Sequence, residues 1–157
     1  MGSFAVQLAA AAGAHVVASV GSTSRGDDLG KLGAREVVVD LAGVEPVDAV
    51  IDNVGGPHLV RAWDLLAPGG TLQSVGWTSG EPAIFAPYAT IGPLKSLNSY
   101  LTTGDVGADL AALVRLVETG GLSVQVGWRG KLSDFADAAE GLRGRRIRGK
   151  AVMDVHA

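Results

Sequence analysis

The chain has 157 residues, about the length of one domain, with 47% apolar and 18% charged residues. Thirteen Lys and Arg against 16 Asp and Glu give a net charge of −3, which excludes a disordered chain and argues against a generally basic nucleic-acid binder. Cysteine is absent, which removes disulfides, thiolate nucleophiles and every zinc site that needs a Cys ligand. Glycine, at 23 residues, has about twice its usual share, which suits α/β layers joined by tight turns.

No charged side chain precedes Arg25. A signal peptide would need a basic stretch before its apolar run, and a membrane span would need about 20 mainly apolar residues. Neither fits, because the start is uncharged and Gln7, Gly13, His15 and Ser19 interrupt the run. Phe4, Ala5, Leu8, Ala9 and Ala12 instead follow helical spacing, and Gly13 is placed to end that helix. A strand is predicted over 15–20, then a turn at 21–24. A weak helix follows over 24–32, lowered by Gly26 and Gly30. Short strands are predicted at 37–39 and 49–52. Residues 40–47 are too few for a crossover helix, so an extended loop must cross there. Pro57 suits the first turn of a helix whose apolar face is Leu59, Val60, Trp63 and Leu66. Pro68-Gly69-Gly70 stops that helix, and a strand follows over 71–75. A loop over 78–93 holds Pro82, Pro87 and Pro93. Residues 96–101 alternate like a strand. Asp105 can cap a helix with Leu110, Leu113, Val114 and Val117 on one face. Residues 122–126 read as extended. Ser133 can cap a last helix carrying Phe135, Ala138, Ala139 and Leu142, and a strand closes the chain at 151–155. Such alternation implies a mostly parallel, doubly wound α/β sheet.

Several stretches carry a family resemblance: Gly2-Ser3-Phe4-Ala5-Val6-Gln7-Leu8-Ala9, Ala12-Gly13-Ala14-His15-Val16-Val17-Ala18 and Leu32-Gly33-Ala34. Asp52-Asn53-Val54-Gly55-Gly56, Leu66-Ala67-Pro68-Gly69-Gly70-Thr71 and Gly149-Lys150-Ala151-Val152 complete the set. In this order they resemble the medium-chain dehydrogenase/reductases, specifically the zinc-independent quinone oxidoreductase branch. The resemblance covers essentially the whole chain. It implies a Rossmann-like, doubly wound, mostly parallel sheet that lacks its first, central strand. The match begins inside the family's phosphate loop, of which Gly2 is the last glycine. Residues 1–121 therefore correspond to a truncated dinucleotide-binding domain. Residues 122–157 correspond to the segment that in the family returns to the catalytic domain. The family usually has Val where Met1 stands, so a GTG codon read as an internal start is expected, and the upstream DNA is its test.

The same resemblance assigns a cofactor site. Gly2 and Ser3 stand at the helix N-terminus that faces the pyrophosphate, or else form a frayed end. After the second strand, the turn Gly21-Ser22-Thr23-Ser24-Arg25 offers hydroxyls and a cation and no acid. An acid there marks NAD, and a cation favours the 2′-phosphate of NADPH. Ser22 and Arg25 match the Ser or Thr and the Lys of the NADPH-preferring branch, so NADPH is expected over NADH. Asp27-Asp28 and Asp40 bring opposing negative charge; at the position of Asp40 the family often has Tyr. Asn53 matches a residue near the cofactor ribose, or forms an Asx turn before the glycine pair. Gly76, Trp77 and Thr78 lie where the family's backbone approaches the nicotinamide; Trp77 departs from the usual small or polar residue and either joins the core or narrows the site. Arg145 aligns with an arginine that approaches NADPH in some relatives. It sits in a basic stretch, 143–150, read as a solvated turn in preference to a nucleic-acid contact.

No catalytic residue or metal ligand is assigned. There is no Gly-x-Ser-x-Gly elbow and no His-Glu-x-x-His, and His15, His58 and His156 are scattered. In this branch catalysis is mainly orientation, with hydride passing directly to a conjugated carbonyl or quinone. The expected protein is thus the cofactor-binding portion of a cytoplasmic NADPH-dependent oxidoreductase acting on a small molecule, without nucleic-acid or membrane partners. The alternative is a non-catalytic module that self-associates. A homodimer is expected through the strand at 96–101 or through the gap left by the missing strand. A methyltransferase reading of Leu66-Ala67-Pro68-Gly69-Gly70 lacks the acidic glycine loop of that fold.

Overall fold

The computed structural model describes residues 1–92 and 94–155; Pro93 and His156 lie outside them. By packing, the chain forms two units, Met1–Asp40 with Gly107–Ala157, and Leu41–Val106.

In the first unit, helix α1 (Gly2–Ala11) is followed by strand β1 (Val17–Ser19) and strand β2 (Glu36–Val38). The end of α1 follows from its sequence. Gly13 takes φ +85°, its N–H bonds the Ala10 carbonyl, and the Ala14 N–H bonds the Ala9 carbonyl. This paired closure satisfies the last carbonyls and needs a residue free to adopt positive φ. The weak helix expected over 24–32 is instead a 3₁₀ turn, Thr23–Arg25, followed by successive three-residue turns from Gly26 to Gly33. Gly26 and Gly30 remove the propensity an α-helix would need. Gly26 also fits where a side chain would collide with Val37 Cγ1. Val6, Ala18 and Ala34 form the local core, with Val16, Leu29 and Leu32 around them.

The same unit holds helix α3 (Gly107–Glu118), strand β6 (Val126–Lys131), helix α4 (Phe135–Arg143) and strand β7 (Lys150–Asp154). The extended stretch expected over 122–126 is found later, as β6, because Gly127 and Gly130 lower the strand signal of the polar residues that form it. It pairs in parallel with β7, and Gly127 fits where a side chain would strike the Arg148 backbone. The predicted apolar face of α3 is not covered: no α3 residue is buried, and Leu110 and Val114 are more than half exposed.

The second unit begins with strand β3 (Val47–Asp52) and helix α2 (Gly56–Asp64), and continues with strand β4 (Leu66–Ser74) and strand β5 (Ser96–Ser99). The three strands run in parallel in the order β3-β4-β5. Strand β4 starts five residues before the expected Thr71, directly after α2. It includes Pro68-Gly69-Gly70 because the register against β3 shifts there, from Val47 opposite Leu66 to Ala49 opposite Thr71. A bulge is where a strand tolerates proline and a glycine at φ +80°. Leu59, Ala62 and Trp63 of α2 pack on Leu66 and Leu72 of β4. The Trp63 indole meets Phe85 edge-on at 6.0 Å and donates its N–H to the Ala89 carbonyl at 2.9 Å. This contact pins the proline-containing loop to the core.

Every strand pair is parallel, as the alternating elements require. Among the described residues the strands form three sheets, β1-β2, β3-β4-β5 and β6-β7, where one continuous doubly wound sheet was expected. Among the described strands β1 has only β2 as neighbour and β3 only β4.

Candidate functional site

The predicted site residues fall into two clusters, one in each unit, and a helix end. At the C-terminal ends of β3 and β4, two loops are stitched together. Gly76 N–H bonds the Asp52 carbonyl (3.2 Å), and the Thr78 N–H (3.2 Å) and hydroxyl (3.1 Å) both donate to the Asn53 carbonyl. Asn53, Gly76, Trp77 and Thr78 thus lie on two adjoining loops. Carboxyl ends of parallel strands are where open α/β sheets bind ligands. The Asn53 side-chain oxygen is buried and has no hydrogen-bond partner among the described residues. A buried acceptor left unpaired costs on the order of 1–3 kcal/mol, which a ligand donor would recover.

Beneath this loop lies Asp52, 2% exposed. Its carboxylate accepts from Gly55 N–H at 2.8 Å and Val54 N–H at 3.4 Å, and His58 Nδ1 lies 3.2 Å away. Burial alone would raise this carboxyl's pKa, but the His58 ring and the two backbone donors outweigh it and hold it below the usual value. Sequence reading left His58 among scattered histidines. The signal was its place six residues after a strand-end Asp, across a glycine turn.

The glycine pair is required twice over. Gly55 has φ +71° and ψ −165°, a region essentially reserved for glycine. A side chain there would overlap the Trp77 indole, and one on Gly56 would come within 2.9 Å of Ser79 Oγ. Residues 77–81 therefore lie against the start of α2. Trp77 is not core: it is 46% exposed, and its indole N–H donates to the Glu81 carbonyl at 2.5 Å.

In the other unit the structure joins Arg25 to Arg145, and Ser22 lies on the same turn as Arg25, its carbonyl accepting the Arg25 N–H at 3.0 Å. Arg25 Nη2 donates to the Arg145 carbonyl at 3.1 Å, and Arg145 Nη1 lies 4.0 Å from where a Gly21 side chain would begin. Ser22 Oγ lies 3.2 Å from Ser24 Oγ. Arg145 takes φ +56°, an uncommon state for a non-glycine residue and one that clusters at functional sites. The negative charge of Asp27 and Asp28 is directed elsewhere, to Arg148 at 3.7 and 3.8 Å, and Asp28 also to Lys31 at 3.0 Å. Within the basic stretch, Arg146 meets Glu140 at 3.6 Å, and Lys150 Nζ sits 5.2 Å from the Phe4 ring centre.

Gly2 and Ser3 open α1 without a side-chain cap, and the Met1 carbonyl takes the Phe4 and Ala5 N–H groups. They form the first turn of that helix.

Parallel strands with helical crossovers and polar groups gathered at strand ends define a Rossmann-like nucleotide-binding half. Residues 31–153 match the family model described as zinc-binding dehydrogenase. The chain belongs to this family, within the medium-chain dehydrogenase/reductases, and corresponds to their C-terminal, cofactor-binding part. It is 32% identical over 109 residues to a protein of Arthroderma benhamiae named "Probable zinc-binding oxidoreductase, mitochondrial", covering 69% of this chain and 31% of the relative. The crystal structure of AibC superposes with a TM-score of 0.86 at 26% identity, covering 97% of this chain and 45% of that one. The quinone oxidoreductase from Coxiella burnetii gives 0.76 at 27% identity, covering 97% and 49%. The chain thus spans about a third of the curated relative and about half of the solved ones.

The family description mentions zinc, but the side chains here do not fit that ion. The chain has no cysteine, and among the described residues no three His, Asp or Glu side chains converge. His15 pairs with Glu36 at 2.7 Å, and His58 with Asp52. No helix among the described residues is long and apolar enough to cross a membrane.

Proposed function

We propose that this chain is the cofactor-binding portion of an NADPH-dependent oxidoreductase that reduces a quinone or an enone. The observation that carries the reading is the hydrogen bond that joins Arg25 to the Arg145 carbonyl at the 21–25 turn, with Asp27 and Asp28 turned to Arg148. Two arginines joined at a turn that carries hydroxyls suit a phosphate monoester better than a ribose hydroxyl pair. Asn53, with its unpaired buried oxygen, supports the reading, because it can accept from a ribose hydroxyl or a carboxamide. Once bound, the dinucleotide supplies hydride to the conjugated acceptor. Of the residues of this chain, Arg25 and Arg145 are the ones that would hold the dinucleotide's phosphate end. The relative named as a quinone oxidoreductase favours this class of acceptor. The cytoplasm is the proposed compartment. Titration with NADPH, followed by nicotinamide fluorescence with NADH as control, tests the reading. Micromolar binding that favours NADPH is expected; equal binding of both removes the phosphate assignment.

A second reading, self-association, is favoured by the exposed apolar residues Leu97, Tyr100 and Leu101 on and beyond β5, which has only β4 as a neighbour among the described strands. Edge strands with apolar exposure pair readily. A homodimer through 96–101 is expected, and sedimentation at a monomer's mass across micromolar concentrations would exclude it.

A further inference from the structure

We propose that Trp77 is a stacking wall for a planar conjugated ring and sets the site's preference for flat acceptors. The proposal rests on the cofactor reading above and extends it to a residue that departs from the family pattern. One face of the indole lies on Gly55, so close that a methyl group there would overlap ring atoms Cγ, Cδ2 and Cε2. The N–H is fixed on the Glu81 carbonyl. The ring is therefore positioned on one side and along one edge, yet 46% of the residue stays exposed. A large apolar side chain held rigid while open to solvent forgoes burial that a flexible loop could otherwise recover. The next residue, Thr78, is bonded twice to Asn53, whose unpaired oxygen lies on the same loop pair. A flat π-surface held on one face and open on the other matches a planar conjugated ring. Two rings have that chemistry here: the nicotinamide of the dinucleotide and the acceptor ring of a quinone.

The test uses tryptophan emission from the full chain, which has three tryptophans, Trp63, Trp77 and Trp128. Wild type, Trp77→Phe and Trp77→Leu are titrated with NADPH and, separately, with 9,10-phenanthrenequinone. Saturable quenching is expected in wild type and is mostly lost in Trp77→Phe. Trp77→Leu, which keeps apolar bulk without a ring, is expected to bind the stacked ligand about threefold to tenfold more weakly, and Trp77→Phe within about twofold of wild type. A loss confined to the NADPH titration assigns the wall to nicotinamide, and a loss confined to the quinone assigns it to the acceptor. Equal affinity in Trp77→Leu, or equal quenching in Trp77→Phe, overturns the proposal, while selective NADPH binding would leave the cofactor reading standing. Saturable quinone quenching through Trp77 without NADPH binding would keep the wall and remove the cofactor reading. Saturation by neither ring overturns both. Where Trp77→Leu does not fold, as read by circular dichroism, the quenching difference in Trp77→Phe decides.

Discussion

An Asp52→Ala chain is expected to unfold in urea with a stability about 3 kcal/mol below wild type. Asp52 closes β3, is 2% exposed, and gathers the Gly55 and Val54 N–H groups and the His58 ring on one carboxylate. Truncation leaves the buried Gly55 donor without a partner. Such an orphan costs on the order of 1–3 kcal/mol, and each hydrogen bond to a charged group contributes about 1.5–3 kcal/mol. Asp52→Asn keeps one acceptor oxygen and loses the charge, so it should fall between the two. Two of the three tryptophans, Trp63 and Trp77, lie in the same unit, so their emission reports its unfolding. Acid gives an independent check. The folded carboxyl lies below its ordinary value of about 3.9, so its contribution is complete above that pH. It is lost as pH falls through the lower, folded value. Wild type should therefore lose stability on acidification below about pH 4, with a component absent from Asp52→Asn. An Asp52→Ala midpoint equal to wild type would show that the turn holds without the carboxylate.

The order of elements could be read because it rests on local chemistry. Gly13 ends α1 by the closure that its positive φ permits, and Gly55-Gly56-Pro57 opens α2 where expected. The parallel direction of the strands followed from the alternation of elements alone. Other features depend on residues far apart in sequence, and they escaped. Strand β4 runs through Pro68-Gly69-Gly70 because it bulges against β3 there, which no reading of 66–74 in isolation reveals. Strand β6 exists because β7 lies alongside. The face of α3 was correctly placed at helical spacing, but spacing states only which residues share a side, not what covers them.

The candidate site divides in the same way. Ser22, Arg25 and Arg145 stand out by residue type and family position, and the joining of Arg25 to Arg145 depends on a contact across 120 residues. The opposing acids at 27 and 28 looked damaging in sequence; Arg148, another distant residue, takes up their charge. The support of Trp77 by Gly55 was not legible either. It needs the β3 and β4 loops side by side, which only the parallel pairing of those strands provides.

The arginine pair gives the largest expected effect on binding. Arg25→Ala should weaken NADPH about tenfold to thirtyfold and leave NADH within about twofold. A charge-assisted bond from a guanidinium to phosphate contributes about 1.5–3 kcal/mol, and partial exposure favours the lower part of that range. Added salt should weaken NADPH binding further in wild type than in the variant, because the lost term is the screened one. Arg25 also holds the Arg145 carbonyl, so its removal frees the second guanidinium as well. Arg145 separates binding from stability. At φ +56° an arginine is strained and a glycine is not, so Arg145→Gly should raise stability or leave it unchanged while weakening NADPH. Arg145→Ala keeps the strain and loses the charge, so it should weaken NADPH equally without the gain in stability. Loss of NADPH preference in all three variants, with any gain in stability confined to Arg145→Gly, is what a phosphate site held by a strained backbone requires. NADPH preference unchanged in Arg25→Ala and Arg145→Ala would mean that this cluster joins the turn at 21–25 to the segment after α4 and selects no cofactor.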